Sequence, residues 1–267
     1  MIDFAFIDSG TGGIPYLTHL ISKVPSLNCV YIGDTKNFPY GKKTHEQIVN
    51  CTLELAKKII EKFNPKVIVV ACNTISVNTL DVLREVFPTV EFIGTVPAIK
   101  LAATVSKTKR IGLLATESTC TNPYNIDLKN HFATDCTLFL RSDQDLISFI
   151  EKHSFTAKEN EIINACMPSI NYFKENNCDC IILGCTHFLN ISSEIKKACG
   201  NSIEVVDSKE GVVNRCLYMI EKLGIKENKK NNPFAHTLYI TGFNEQKDKE
   251  EYDVICKKYN LTWGGVL

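Results

Sequence analysis

Val67-Ile68-Val69-Val70-Ala71-Cys72-Asn73-Thr74 and Cys180-Ile181-Ile182-Leu183-Gly184-Cys185-Thr186-His187 are the two stretches on which the reading of this chain turns. Each is a short apolar run that ends on a cysteine followed by small polar residues. Continuous apolar runs of this length suit strands buried on both faces, the pattern of a parallel sheet rather than of a sheet with one wet side. Such sheets place their chemistry beyond the carboxyl ends of the strands. A thiol therefore stands where chemistry is expected, twice. Two such thiols can act on one carbon from opposite sides, one removing a proton and the other supplying one.

The same pattern continues outward from these runs. Phe4-Ala5-Phe6-Ile7 opens onto Asp8-Ser9-Gly10-Thr11-Gly12-Gly13, and Val30-Tyr31-Ile32 opens onto Gly33-Asp34. Further strands are expected at 90–93, 110–114, 204–206 and 237–240. Thr44-His45-Glu46-Gln47 reads as a capping box. The helix behind it carries Ile48, Thr52, Leu55, Ile59 and Phe63 at helical spacing and stops at Asn64-Pro65. Alternating strands and helices predict an α/β fold with mainly parallel sheets. A weak internal repeat points to two similar halves: a strand opening onto Asp8-Ser9 precedes the Cys72 loop, and one opening onto Ala115-Thr116 precedes the Cys185 loop. The expected architecture is two three-layer α/β domains, pseudo-two-fold related, with the active site in the cleft between them. The first domain takes 1–97 plus 208–267 and the second 98–207, the crossovers lying at Gly94-Thr95-Val96-Pro97 and near Asp207-Ser208. Residues 224–233, rich in Lys and Asn, read as a solvated loop, and 246–258 as a charged surface helix.

Bulk composition narrows the function classes. The 267 residues are 44% hydrophobic, with 30 basic and 30 acidic side chains. A balanced charge predicts neither a nucleic-acid nor a membrane surface. No apolar run approaches the roughly 20 residues that span a bilayer, and Met1-Ile2-Asp3-Phe4 lacks the basic start of a signal peptide. A cytoplasmic protein is expected. Twelve cysteines without an export signal fit a reducing compartment. Cys51, Cys166, Cys199 and Cys216 read as small buried hydrophobes. Cys178 and Cys180 form a Cys-x-Cys with no partner at zinc-site spacing, so no metal is expected.

A thiol acts as a base only as thiolate, so each working cysteine needs a neighbouring charge, hydrogen bonds or a helix start. For Cys72 these are the helix expected after Thr74, and Asp8. For Cys185 the nearest in sequence is His187. Gly10-Thr11-Gly12-Gly13 matches neither the dinucleotide fingerprint nor the P-loop; it reads as a tight turn whose backbone N–H groups suit a carboxylate. His45 reads as a first-turn helix residue, and His19, His131, His153 and His236 as surface or packing residues.

At these positions the chain resembles bacterial glutamate racemases, within the cofactor-independent aspartate/glutamate racemase family. The resemblance rests on Phe6-Ile7-Asp8-Ser9-Gly10-Thr11-Gly12-Gly13, Gly33-Asp34 with Pro39-Tyr40-Gly41, Ala71-Cys72-Asn73-Thr74, Ala115-Thr116 with Thr119, and Gly184-Cys185-Thr186-His187-Phe188. It implies that Cys72 and Cys185 are acid/base thiols interconverting L- and D-glutamate. Asp8 would assist Cys72 and His187 would assist Cys185, with Glu151 as an acidic partner in the second domain. Ser9, Asp34, Tyr40, Gly41, Asn73, Thr74, Thr116, Thr119 and Thr186 would hold the substrate. It also implies no cofactor and no pyridoxal phosphate, a small-molecule substrate, a homodimer, and a role in supplying D-glutamate for peptidoglycan. The alternatives are an aspartate racemase of the same family and a non-catalytic amino-acid-binding relative; His187 and Ser76 favour glutamate. Two segments depart from the family pattern: Asn122-Pro123-Tyr124 after Thr119, and Leu189-Asn190-Ile191 after Phe188.

Overall fold

The computed structural model describes residues 2–226, 236–243 and 249–267. The chain divides into two compact units, Met1–Thr95 with Lys209–Leu267, and Val96–Ser208. The first contains strands β1 Phe4–Asp8, β2 Cys29–Gly33, β3 Val67–Val70 and β4 Glu91–Gly94. The second contains β5 Arg110–Ala115, β6 Thr137–Ser142, β7 Cys180–Leu183 and β8 Glu204–Val206. The returning segment adds β9 Thr237–Ile240 and β10 Thr262–Val266 to the first sheet.

The sheet orders are β10-β9-β2-β1-β3-β4 and β6-β5-β7-β8, and each neighbouring pair runs parallel. Four strands in the first sheet, β2-β1-β3-β4, thus repeat the order of the whole second sheet. Both units are α/β, with helices around a parallel sheet. Strands β1, β2 and β3 are buried at every position, as parallel strands covered on both faces must be.

The helix His45–Phe63 starts as its capping box predicts. Thr44 Oγ1 accepts from the Gln47 N–H at 3.3 Å and the Gln47 side chain accepts from the Thr44 N–H at 3.0 Å. Ile48, Thr52, Leu55, Ile59 and Phe63 are all buried, and Asn64 ends the helix in a left-handed conformation at φ 41°. This helix and Asn73–Val86 pack into one core with Ile7, Ile32, Ile68 and Val70. A second core joins Ile99 and Ala102 to Ile111, Leu113, Cys180 and Ile182.

Two strands escaped the sequence reading. Strand β6 is an edge strand with no fully buried residue, and its apolar run, Leu138-Phe139-Leu140, is only three residues long and leads into Arg141. Strand β10, Thr262-Trp263-Gly264-Gly265-Val266, carries two glycines that read as a turn. The charged helix expected at 246–258 is observed as Lys249–Tyr259; its residues 246–248, and 227–233 of the expected loop, lie outside the described residues. No helix among the described residues is long and apolar enough to cross a membrane.

Candidate active site

In the first unit, β1 and β3 pair with Ile7 opposite Val70, and the Ala71 N–H donates to the Ile7 carbonyl at 2.8 Å. This register brings Asp8-Ser9 and Cys72 to the same edge of the sheet. Cys72 is 5% exposed and lies 4.0 Å, sulfur to oxygen, from Ser9 Oγ. The helix was expected after Thr74; it starts at Asn73, and Cys72 is its N-cap. That is a correction in the thiol's favour, because the partial positive charge of a helix N-terminus falls off within one turn and the thiol sits on the capping residue itself. Asn73 is 2% exposed, and neither its Oδ1 nor its Nδ2 has a partner among the described residues. A buried amide left without partners costs roughly 1–3 kcal/mol, which a polar ligand would recover.

Asp8 is fully buried. Its Oδ2 accepts from the Gly13 N–H at 2.8 Å and stands 3.2 Å from the Tyr31 hydroxyl, which also lies 3.0 Å from the Gly10 carbonyl oxygen. The glycine loop was expected to offer its N–H groups to a ligand carboxylate. The Gly13 N–H instead faces Asp8, and the Ile14 N–H donates to the Thr11 carbonyl. Gly13 is required by close approach: a Cβ there would meet the Ala71 carbonyl oxygen at 2.6 Å. Tyr31 carried no sequence signal beyond its place in a strand.

Asp34 is likewise a hub. Its oxygens accept from the Tyr40 hydroxyl at 2.5 Å, the Asn37 amide at 2.9 and 3.1 Å, and Thr241 Oγ1 at 2.7 Å. Burial, followed by the Asp34 charge, pushes the Tyr40 phenol far up, so it stays protonated and donates. Asp34 therefore positions Tyr40. Gly41 follows in the same short turn and is half-buried, and Thr74, one residue into the Cys72 helix, is buried.

In the second unit, β5 and β7 pair with Leu114 opposite Leu183, and the Gly184 N–H donates to the Leu114 carbonyl at 2.7 Å. A Cβ on Gly184 would meet Leu113 Cδ1 at 2.6 Å. Cys185, 7% exposed, precedes the 3-10 turn Thr186–Ile191. Its Sγ is 3.5 Å from His187 Nδ1, and His187 Nε2 is 3.0 Å from Glu151 Oε2. His187 and Glu151 are each 2% exposed. Burial works against a charged imidazole, but the hydrogen bonds to Cys185 and Glu151, with their charges, outweigh it and hold His187 well above the ordinary histidine range. Glu151 is presented by the helix Gln144–His153, which Asp143 caps by accepting from the Leu146 N–H at 3.0 Å. Thr116 and Thr119 are buried with their hydroxyls 3.0 Å apart, and Thr186 is buried beside Cys185.

The structure thus brings together Asp8, Ser9, Cys72, Asn73 and Thr74 in one unit, and Cys185, Thr186, His187 and Glu151 in the other. Among the described residues no cluster of three or more His, Cys, Asp or Glu could hold a metal ion.

A family model described as Asp/Glu/Hydantoin racemase matches residues 18–216. The chain belongs to that family. It is 36% identical, over 99% of its length and 96% of the relative's, to a glutamate racemase of Treponema pallidum strain Nichols. In fold it matches the Escherichia coli glutamate racemase solved in complex with L-glutamate and the activator UDP-MurNAc-ala, at 24% identity and a TM-score of 0.85, covering 100% of this chain and 98% of that one. The glutamate racemase of Aquifex pyrophilus is 27% identical with a TM-score of 0.70, over 97% and 94% of the two chains.

Proposed function

We propose that the chain is a glutamate racemase that interconverts L- and D-glutamate with two cysteines and no cofactor. The observation that carries this reading is the repeated strand order, with a thiol at the end of the third strand of each repeat. In a family of racemases, that duplication supplies two acid/base groups of the same kind. The similarity to glutamate racemases over nearly the whole chain supports glutamate as the substrate.

In this reading Cys72 takes the α-proton of D-glutamate and Cys185 that of L-glutamate. The attacking sulfur enters as thiolate and leaves as thiol. The opposite thiol gives its proton to the carbanion and ends as thiolate, so one turnover exchanges their protonation states. The anchored Asp8 carboxylate assists Cys72. A cationic His187, steadied by Glu151, stabilises a sulfur anion at Cys185. Ser9, Asn73, Thr74, Thr116, Thr119 and Thr186 supply donors in a dry setting, where they stabilise developing charge far better than water-exposed groups do. Asp34 holds the Tyr40 hydroxyl and, with Gly41, shapes the edge of the substrate cradle. We further infer a cytoplasmic homodimer that supplies D-glutamate for peptidoglycan; the free state of all twelve cysteines supports a reducing compartment.

Incubation with L-glutamate or L-aspartate in deuterated water, followed by chiral chromatography and mass spectrometry, tests the proposal. D-Glutamate carrying one α-deuteron is expected. Faster formation of D-aspartate would overturn the choice of substrate, and no α-exchange with either would overturn the racemase reading.

A further inference from the structure

The segment after Thr119 builds a feature that the chemistry of the two thiols does not use. Asn122 caps the helix Pro123–Phe132 by accepting from the Tyr124 N–H at 3.0 Å, and Pro123 takes its first position, both favoured at a helix start. A surface helix of ten residues ordinarily buries an apolar stripe. This one fully buries only Asn125 and packs a half-buried Leu128 against the core, while Tyr124, Ile126 and Phe132 stand 41%, 59% and 48% exposed.

Beside Asn125 lies a pocket of about 290 Å³ with Leu113, Cys120, Ile126, Cys136, Leu138 and Leu140 in its walls, and with Lys129 and Thr137 as further polar lining. Burial pushes the Cys120 thiol up to about 11 and raises that of Cys136, so both face the cavity as neutral groups. Asn125 lines the same cavity and is 5% exposed. Its Nδ2 donates to the Thr119 carbonyl, which fixes the orientation of the amide. Its Oδ1 is then the acceptor, and it is buried with no partner among the described residues.

We propose that this cavity binds a small, mainly apolar molecule carrying one hydroxyl or N–H donor, which bonds Asn125 Oδ1. The size suits a one- or two-ring compound, slightly below the usual range for ligand pockets of roughly 300–1,000 Å³. Occupancy is felt at Thr119, because one amide group bonds both the ligand and the Thr119 carbonyl, and hydrogen bonds in such chains polarise each other. Thr119 in turn is tied to Thr116 by the 3.0 Å hydroxyl contact and by its own N–H, which donates to Thr116 Oγ1 at 3.2 Å.

Indole and 1-methylindole make the test, since the second keeps the rings and lacks the donor. Binding is followed on the full-length protein by backbone-amide NMR titration, which needs no racemase activity and so fails or succeeds independently of the proposed reaction. Saturable indole binding, about tenfold or more tighter than that of 1-methylindole, with displacement of the Thr119 resonance, is expected. Asn125→Leu should abolish the preference for indole. Ile126→Trp, at an exposed position that leaves the Asn125 bond intact, should fill the cavity and abolish binding. Absence of saturation, equal affinity for the two probes, or unchanged binding in Ile126→Trp would overturn the site.

Discussion

The Cys72 and Cys185 settings agree in backbone and differ in chemistry. In each unit the first strand pairs with the third in the same register, Ile7 with Val70 and Leu114 with Leu183. Counting outward from those pairs, Cys72 corresponds to Cys185 and Ser9 to Thr116. The groups proposed to support the sulfurs do not correspond: Asp8 matches Ala115 and His187 matches Thr74; nor does Ser76 match its counterpart, Leu189. Sheet register is a global constraint, because slipping one residue turns every side chain to the other face. A charge beside a thiol is a local requirement that any suitable neighbour can meet. The repeat therefore fixes where the sulfurs lie, while the residues proposed to support them differ between the units.

The largest effect that tests this comparison is removal of either sulfur. Cys72→Ser and Cys185→Ser should each lower racemisation by about 10²–10⁴-fold, the span of a lost acid/base group. The two variants should fail differently. With Cys185 intact, Cys72→Ser should still exchange the α-proton of L-glutamate with solvent without inverting it. Cys185→Ser should do the same for D-glutamate. NMR of the α-proton in deuterated water reads this directly, and equal loss of exchange from both enantiomers in both variants would break the assignment of one face to each thiol.

Next in size is Glu151→Gln, which touches only the Cys185 side. It removes a charged partner from a buried imidazole, worth about 1.5–3 kcal/mol, or roughly ten- to a hundredfold in the rate starting from L-glutamate. The His187 titration followed by NMR should move down toward the ordinary value. The sign for stability follows from the raised folded-state pKa. The pair's stabilisation is fully present below the unfolded histidine value of about 6.5 and is lost as pH rises through the elevated folded value. Glu151→Gln should therefore weaken the protein most at neutral and mildly acidic pH, as read by denaturant unfolding across pH.

How much of this was legible beforehand follows from the same division. The strands ending at Asp8, Cys72 and Cys185 were readable because burial on both faces leaves an unbroken apolar run. The start of the Cys72 helix was misplaced because Asn73-Thr74 resembles a cap, and whether Cys72 takes that place depends on backbone angles that residue identity does not set. Glu151 stood out only through family resemblance. Its bond to His187 joins a helix to a turn 36 residues away, and no local spacing encodes it. Nor could Tyr31 be recognised as an anchor for Asp8, since its partner is fixed by the pairing of β1 with β2. The order β2-β1-β3-β4 against β6-β5-β7-β8 converts a faint repeat into a register, and the unequal supports become visible only once that register is drawn.

A smaller effect on activity is expected from the next corresponding pair, Ser76 on the Cys72 side and Leu189 on the Cys185 side. Ser76 Oγ donates to the Val70 carbonyl at 3.0 Å and accepts from the Thr95 N–H at 2.9 Å, while the Ser76 N–H donates to the Cys72 carbonyl at 2.9 Å. It clamps the end of β3 to the crossover after β4. The corresponding Leu189 is buried and apolar, so the second unit has no such clamp at that place. Ser76→Ala should cost about 1–3 kcal/mol of stability, because it leaves a buried N–H unpaired. Leu189→Ala should instead show the cavity cost of about 2–5 kcal/mol seen for buried leucines, with its effect on activity confined to the Cys185 step.

The smallest expected change in stability is the most discriminating for ligand binding. The Asn73 side chain has no hydrogen bond to lose among the described residues, so Asn73→Ala should leave unfolding free energy within about 0.5 kcal/mol of the parent, or raise it. If its amide instead receives a polar substrate group, the same change should raise KM roughly tenfold, the loss of one good hydrogen bond. Thr186, the corresponding residue beside Cys185, bears a hydroxyl rather than an amide and is also buried. Replacing it with valine keeps its shape and removes one donor. A large stability loss in Asn73→Ala with unchanged KM would mean that the amide is a packing element. A raised KM with unchanged stability at Asn73, and a smaller rise at Thr186→Val, would mark the Cys72 side as the stronger holder of substrate.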